Sequence, residues 1–259
     1  MVGSRWGWAV SSGVHGSVVL RTTNGGRSWN DITPPGFSRY APNLNDDETD
    51  PGSFGLSALG SRQCWIAFGG SIEGREVVTV EQTADGGRHW RKKRVEGAAD
   101  SVVLQFLDSR HGVMLALGGP AAGLMSKDFY STHDGGAVWT KGRSPDMAGG
   151  NFYPTGMVFR NPLTGWIAAI YHGTPDVPLL RTDNGGKTWR LQTLPEPAVY
   201  RDGGYGNTYP PHFFGPQRRE GTLVVSYRNN DIHRFETITY VTRDGGYTWH
   251  ISKRKRDQK

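Results

Sequence analysis

The sequence lacks several features that define large protein classes. Its 259 residues include one cysteine, Cys64, which excludes a disulfide bond within the chain. No apolar run approaches the roughly 18 residues that a membrane-spanning helix needs, and helical periodicity is nowhere sustained. Residues 1–10 have no basic start and no long apolar segment, so we expect no signal peptide. If residues preceded Met1, an exported or lipid-anchored protein would be the expectation.

Motifs of common enzyme classes are missing as well. The sequence has no Ser-His-Asp nucleophile elbow, no phosphate-binding loop, no dinucleotide fingerprint and no cysteine-rich metal spacing. We therefore predict no cofactor and no metal. The segment 45–50 is acidic, but Pro51 stands where a calcium loop would need glycine, so we favour a solvated loop over a Ca²⁺ site. Cys64 lies in an apolar stretch beside Trp65, which predicts a buried and inert thiol.

One short phrase occurs five times along the chain. Each copy reads Thr, one free position, Asp or Asn, two glycines, two free positions and Trp. Successive tryptophans of the phrase lie 61, 49, 50 and 60 residues apart, which indicates repeated structural units. The copies span residues 22–29, 83–90, 132–139, 182–189 and 242–249.

The composition of the phrase predicts a hairpin turn. The short polar side chain can accept hydrogen bonds from the backbone just ahead, and the threonine hydroxyl can add a local bond. The two glycines permit positive φ. An alternative is that the polar residue ligates something, but the turn already uses its oxygens. These turn residues are Asn24, Asp85, Asp134, Asn184 and Asp244.

The tryptophan of each copy is predicted to lie well inside the next strand and to act as a packing wedge between neighbouring units. These residues are Trp29, Trp90, Trp139, Trp189 and Trp249.

The phrase resembles the Asp-box, or bacterial neuraminidase repeat, of β-propellers. Residues 21–29 and 7–10 also resemble the photosystem II stability/assembly factor-like propellers within that class. The resemblance implies an all-β propeller of four-stranded antiparallel blades, with the box turns on one face and the usual binding face opposite. We expect one domain, 1–252, in which the first blade lacks its inner strand, followed by a basic tail, 253–259. The expected blades are 1–33, 54–96, 101–144, 155–195 and 211–252.

Charge is moderate, with a formal net value of +6. Residues 91–94 are consecutive basic residues in the last strand of the second unit. They can be a phosphate-binding patch or a charged edge strand that discourages aggregation, and we favour the edge strand. We also favour a solubilising role for the basic residues 253–256, and we predict no nucleic-acid partner.

Loops on the expected binding face are rich in Tyr, Arg, Asp and His, and residues 200–212 are the richest loop. Such side chains over a rigid scaffold predict a binding surface, whereas the alternative is ordinary polar loop composition. We assign no catalytic residue. The candidate binding residues are Arg75, Tyr153, His172, Arg201, Asp202, Tyr205, Tyr209 and His212.

The sequence favours a non-catalytic binding or assembly scaffold that recognises a protein partner through this loop face. The alternatives are a sialidase-type glycoside hydrolase and a propeller that binds carbohydrate without cleaving it. A sialidase needs an arginine triad, a tyrosine nucleophile with a glutamate, and an aspartic acid. Residues 46–48 with Tyr205 or Tyr209 could supply part of that set, but the Phe-Arg-Ile-Pro-like opening motif is absent. We therefore expect no enzyme activity and, if there is any, glycoside hydrolysis.

Overall fold

The computed structural model describes residues 5–13, 16–35, 37, 54–119, 125–145, 152–171 and 176–256. Within them the regular structure is almost entirely antiparallel β-sheet. Two short 3-10 turns, Ala198–Tyr200 and Pro216–Arg218, are the only helical elements in these ranges. The sheets belong to two compact units, the first with three sheets and the second with two.

The first unit contains one three-stranded and two four-stranded sheets, and in each the strands follow one another in chain order. The first sheet is β1 (Gly7–Gly13), β2 (Gly16–Thr22) and β3 (Asn30–Asp31). The second is β4 (Phe54–Leu59), β5 (Gln63–Ile72), β6 (Arg75–Thr83) and β7 (Arg91–Glu96). The third is β8 (Ser101–Phe106), β9 (Gly112–Leu117), β10 (Lys127–Thr132) and β11 (Thr140–Lys141).

The second unit contains a four-stranded and a five-stranded sheet. The fourth sheet is β12 (Tyr153–Phe159), β13 (Gly165–Ile170), β14 (Leu179–Thr182) and β15 (Arg190–Leu191). The fifth is β16 (Gly204–Thr208), β17 (His212–Phe214), β18 (Glu220–Asn229), β19 (Arg234–Thr242) and β20 (His250–Arg256).

These sheets confirm the predicted fold class, all-β with four-stranded antiparallel blades of the propeller type. In the first sheet β1 is an edge strand and pairs only with β2 among the described residues. In each of the other four sheets, the strand that corresponds to β1 pairs with a further strand on the side that is free in β1. The predicted lack of an inner strand in the first blade is therefore confirmed for the described part of the chain.

Each of the five repeated phrases forms a turn of the same type, with the hydrogen bonds that the sequence predicts. In each, the threonine Oγ1 donates to the Asp or Asn Oδ1 over 2.8–3.0 Å. The same hydroxyl accepts the N–H of the second glycine at 2.9–3.0 Å. Both glycines of every pair have φ between +71° and +96°, where a side chain would be strained.

The prediction that the tryptophan lies inside the outer strand is wrong, because the strand begins one residue later. The Asp or Asn Oδ1 also accepts the N–H of the residue just before the tryptophan, at 2.9–3.0 Å. The chain therefore remains in the turn up to the tryptophan, which immediately precedes the outer strand instead of lying inside it. The wedge role holds for Trp90, whose indole N–H donates to the Ile32 carbonyl of the first sheet.

The outer strand of the fifth sheet is longer than predicted. β20 continues to Arg256, so residues 253–256 belong to the sheet and not to the basic tail that the sequence predicted. They pair with Glu236–Thr239 of β19 after a register shift at Thr239/Tyr240. Glu236 is buried, and its contacts with Arg254 and Arg256 stabilise this extension.

A buried arginine connects the fourth and fifth sheets. Arg181 precedes the turn of the fourth sheet and has no exposed surface. Its Nε donates to Asp183 Oδ1 at 3.0 Å, and its Nη1 donates to the Gly246 carbonyl in the turn of the fifth sheet at 2.9 Å. Its guanidinium also lies 3.9 Å from the centre of the Tyr247 ring. One turn is thus held against the next.

The turn network makes a stability prediction. In Thr242→Val the hydroxyl that donates to Asp244 and accepts from Gly246 is lost, and both groups lose a partner. We expect the free energy of unfolding, measured by urea titration, to fall by about 2 kcal/mol. Thr239→Val, in the same strand but outside the turn, is the matched control and should change it little. Equal effects of the two substitutions would contradict a special role for the turn.

Candidate functional site

The segment predicted as the richest binding loop is mostly not a loop. Residues 198–200 form a 3-10 turn, and both β16 and β17 pair with β18. Its glycines suggest a loop, but Gly206 lies within β16, where the close packing against β18 leaves no room for a side chain. A Cβ at that position would lie 2.8 Å from Val225 Cγ1. Pro210 and Pro211 separate the two strands, since proline cannot donate a ladder hydrogen bond.

This pairing separates the candidate residues that the sequence grouped together. Tyr205 lies opposite Arg228 of β18, whereas His212 lies opposite Thr222. Six residues along a strand span about 20 Å. Tyr209 and His212 therefore lie away from Tyr205, and the prediction that residues 200–212 are a loop is wrong for residues 204–208 and 212–214, which form strands.

Three tyrosines lie at the end of the second unit that is opposite its Asp and Asn turns. Tyr153, at the start of β12, pairs with Ile170 at the end of β13, and Tyr171 follows directly. The Tyr171 and Tyr205 rings are stacked, with centroids 4.4 Å apart and an angle of 22° between the planes. The Tyr171 N–H also donates to Asn207 Oδ1 at 2.9 Å, which fixes the pair. We call Tyr153, Tyr171 and Tyr205 the tyrosine face.

Three charged side chains interact at the same end. Glu196, in the connection from β15 to the 3-10 turn, is half-buried, while Asp176 and Arg201 are exposed. Burial, and next the negative charge of Asp176, raise the pKa of Glu196, whereas Arg201 lowers it. The Gly206 N–H donates to the Asp176 carbonyl at 2.8 Å, which places Asp176 beside β16. Glu196 thus keeps its proton to a higher pH than an ordinary glutamate does.

The turn that carries Arg201 and Asp202 is fixed from β18. The Asn229 side-chain amide donates to the Val199 carbonyl at 3.1 Å and to the Asp202 carbonyl at 3.0 Å. Gly203 has φ +70°, and a Cβ there would lie 2.7 Å from Asp231 Oδ2. A carboxylate of the β18–β19 connection therefore lies against this turn. The predicted residues Arg201, Asp202 and Tyr205 therefore lie close together in the chain at this end, and the strand register places Tyr153 at the same end.

Other predicted positions are separate from this end or outside the described residues. His172 and the acidic segment 45–50 are not among the residues that the structure describes. Arg75 belongs to the first unit, where it pairs with Glu96 at 3.4 Å, and both side chains are 75% exposed. Such an exposed pair contributes little. The basic residues 91–94 lie on the exposed outer strand β7, as predicted for a charged edge.

The structure also bears on the predicted chemistry. Cys64 is fully buried, which confirms that part of the prediction, and burial raises the pKa of its thiol well above the usual range. Within the described ranges, no three side chains of His, Cys, Asp or Glu are grouped so that they could hold a metal ion. No helix in those ranges is long and apolar enough to cross a membrane.

Sequence reasoning missed Tyr171 and Glu196. Tyr171 directly follows a buried strand, so its aromatic ring was assigned to the scaffold. Glu196 lies between Pro195 and Pro197, and these two prolines restrict the backbone on both sides of the acidic residue. This signal can be read from the sequence. The contact of Tyr171 with Tyr205 cannot be predicted in that way, because it depends on strand β16, which the sequence does not predict.

No protein-family model matches the chain, and no curated protein does. Among solved structures, the alpha-L-arabinanase of Penicillium chrysogenum with arabinobiose is 12% identical, with a TM-score of 0.49 over 78% of this chain. A GH74 enzyme of Niastella koreensis is 11% identical over 96%, and the Hadza microbial sialidase Hz136 is 13% identical over 92%, both with TM-scores of 0.47. The chain spans 65%, 46% and 52% of their respective lengths.

The electrostatics of Glu196 give a direct prediction. Its pKa, followed by NMR titration of the side-chain carboxyl carbon, should lie above the ordinary glutamate value. Asp176→Asn removes a negative charge and should lower that pKa, whereas Arg201→Gln removes a positive charge and should raise it. Shifts in the same direction in the two variants, or none, would contradict the arrangement. Asp202→Asn, in the same turn, is the matched control for a general loss of charge.

Proposed function

We propose that the second unit binds a carbohydrate at the tyrosine face. The observation that carries the proposal is the stacked pair of Tyr171 and Tyr205 on a segment whose backbone is bonded to Asp176, which in turn interacts with Glu196. The flat apolar face of a sugar ring packs on an aromatic ring, while its hydroxyl groups donate to carboxylates. The fixed backbone around both tyrosines keeps the entropy cost of binding low.

The charges of this end favour a carbohydrate over the protein partner that the sequence suggested. Asp176, Glu196, Asp202 and Asp231 all lie on it or beside it. Acidic residues are depleted in the core of protein interfaces, where an unpaired carboxylate costs desolvation energy. Sugar hydroxyl groups can satisfy the same carboxylates. The scaffold for a protein partner stays a prediction from the sequence.

We also propose that the five turns are Asp-boxes of the bacterial neuraminidase repeat class. The hydrogen bonds of the threonine hydroxyl and the paired glycines support this assignment. The likeness to photosystem II assembly factor-like propellers is the weaker part, since it rests on two short segments of sequence. The assignment concerns the scaffold and gives no activity by itself.

Binding at the tyrosine face is tested with two variants and a matched control. Tyr205→Ala and Tyr171→Ala each remove one ring of the stacked pair and should weaken the best ligand of a glycan panel by about threefold to tenfold, measured by calorimetry. Tyr209→Ala removes an exposed ring farther along the same connection and should leave affinity unchanged. If Tyr209→Ala weakens binding as strongly as Tyr205→Ala, or if no glycan binds, the proposal fails.

A second function, hydrolysis of a glycosidic bond, is favoured by the two interacting carboxyl groups. Glu196 would protonate the leaving-group oxygen as its bond to the anomeric carbon breaks, and Asp176 would take a proton from the water whose oxygen bonds to that carbon. A general acid must still hold its proton at the working pH, so a raised pKa widens the pH range in which Glu196 could act. The pKa of Glu196 is raised by burial and by Asp176, which fits this division of roles.

The proposed hydrolysis is tested separately from binding, by measuring turnover of a glycoside. Glu196→Gln should abolish release of product from a fluorogenic glycoside while ligand affinity is retained. Activity should fall as pH rises through the pKa of Glu196, so Asp202→Asn should leave this alkaline limb in place and Arg201→Gln should move it to higher pH. Glycan binding with no turnover in the unsubstituted protein would leave a binding unit without hydrolytic activity.

A further inference from the structure

We infer that the carbohydrate is acidic, and that its anionic groups bind to arginines gathered around Glu236. This inference rests on the proposed carbohydrate binding and names the class of ligand: a polysaccharide that carries carboxylate or sulfate groups. The arginine cluster consists of Arg234 at the start of β19 and Arg254 and Arg256 of β20, with Glu236 at its centre.

The cluster holds more positive charge than its carboxylate requires. Arg254 contacts Glu236 Oε2 through both Nε, at 3.2 Å, and Nη2. Arg234 Nη2 donates to Oε1 at 3.0 Å, and Arg256 Nε lies 3.5 Å from the same oxygen. Three guanidinium groups thus surround one carboxylate. No second acidic side chain pairs with them in the part of the chain that the structure describes.

The glutamate is buried and the arginines are accessible. The Glu236 side chain is 3% exposed, whereas that of Arg256 is 73% exposed and that of Arg254 is 40% exposed. Burial alone would raise the pKa of Glu236, but the hydrogen bonds from Arg254 and Arg234 hold it below its ordinary value. The carboxylate therefore stays ionised and orients the guanidinium groups, whose remaining N–H donors suit the oxygens of a carboxylate or sulfate.

The arginine cluster lies at the same end of the second unit as the tyrosine face. Arg234 pairs with Asn229, which in turn binds the carbonyls of Val199 and Asp202. Tyr200, between those two residues, is buried, and its pKa is raised first by burial and then by the charge of Glu236. Strands β18 and β19 lie between β16, which carries Tyr205, and β20, which carries Arg254 and Arg256, so the two groups of residues are about 14 Å apart across the sheet, with the turn 199–202 at its end. A polysaccharide chain that stacks on Tyr205 can therefore extend over this turn to the arginines.

A polysaccharide fits these observations better than a nucleic acid. The tyrosine face carries exposed carboxyl groups, which repel a phosphate at every nucleotide. An acidic polysaccharide has uncharged hydroxyl groups for that face and anionic groups for the arginines. The two sites together therefore select a chain with separated charges.

The experiment compares matched ligands and matched variants. The probes are a hyaluronan oligosaccharide, which carries a carboxylate on every second ring, its methyl ester, which keeps the rings and removes the charge, and a kappa-carrageenan oligosaccharide, which carries a sulfate on every second ring. At low salt we expect at least one charged probe to bind more tightly than the ester, with a difference that falls as salt rises. Binding of only one charged probe identifies whether carboxylate or sulfate is the preferred group.

Arg256→Gln tests the arginine cluster with little risk to folding, because Arg234 and Arg254 still pair with Glu236. It should weaken the charged probe about fivefold and leave the methyl ester unchanged. Lys255→Gln, one residue away on the same strand, removes the same charge next to the cluster and should change affinity less than twofold. Equal losses in both variants, or equal binding of charged and neutral probes, would overturn the inference.

The outcomes separate this inference from the proposed function. If the ester binds, depends on Tyr205 and shows no preference for charge, the carbohydrate site stands and the arginine cluster does not. If charged probes bind through Arg256 and Tyr205→Ala has no effect, the cluster stands and the tyrosine face fails. Tighter binding of a single-stranded oligothymidine than of either charged probe would overturn the inference in favour of a nucleic acid.

Discussion

The structure depends on one hydrogen-bonded hydroxyl group in each turn. The threonine Oγ1 donates to the Asp or Asn side chain and accepts from the second glycine, so one atom fixes both sides of a turn. The glycines supply the positive φ that lets the chain reverse within so few residues. Because the same turn occurs in all five sheets, the third and outer strands always meet in the same way.

The turns also connect neighbouring sheets within the second unit. The Gly246 carbonyl accepts from the buried Arg181 and from the Gln192 side chain, and Gln192 in turn accepts from the Trp166 indole. Each of these polar groups is buried and has a partner, which is the condition under which buried polar networks stabilise a unique packing. A Cβ at Gly246 would lie 2.5 Å from Trp166, so the glycine serves the contact between sheets as well as its own turn.

The sequence predicts the parts of this structure that are set by neighbours in the chain. The turn bonds, the positive φ values and the antiparallel blades follow from eight consecutive residues. The parts that depend on distant packing are not predictable in this way. Gly206 looks like a loop residue until Val225 and Tyr227 are placed against it, and the end of β20 depends on the buried Glu236 of another strand. Tyr205 is a predicted candidate, but its partner Tyr171 follows from the position of β16.

Acidic side chains at the two ends of the second unit have pKa values that are shifted in opposite directions. Asp244 is partly buried, which would raise its pKa, yet hydrogen bonds from Thr248 lower that pKa to about 2. Its oxygens are occupied by the turn and are not available to a ligand. At the other end, burial and Asp176 raise the pKa of Glu196, which keeps its proton more firmly. The repeated carboxylates therefore stabilise the scaffold, and the chemistry available to a ligand lies with the acidic residues that do not repeat.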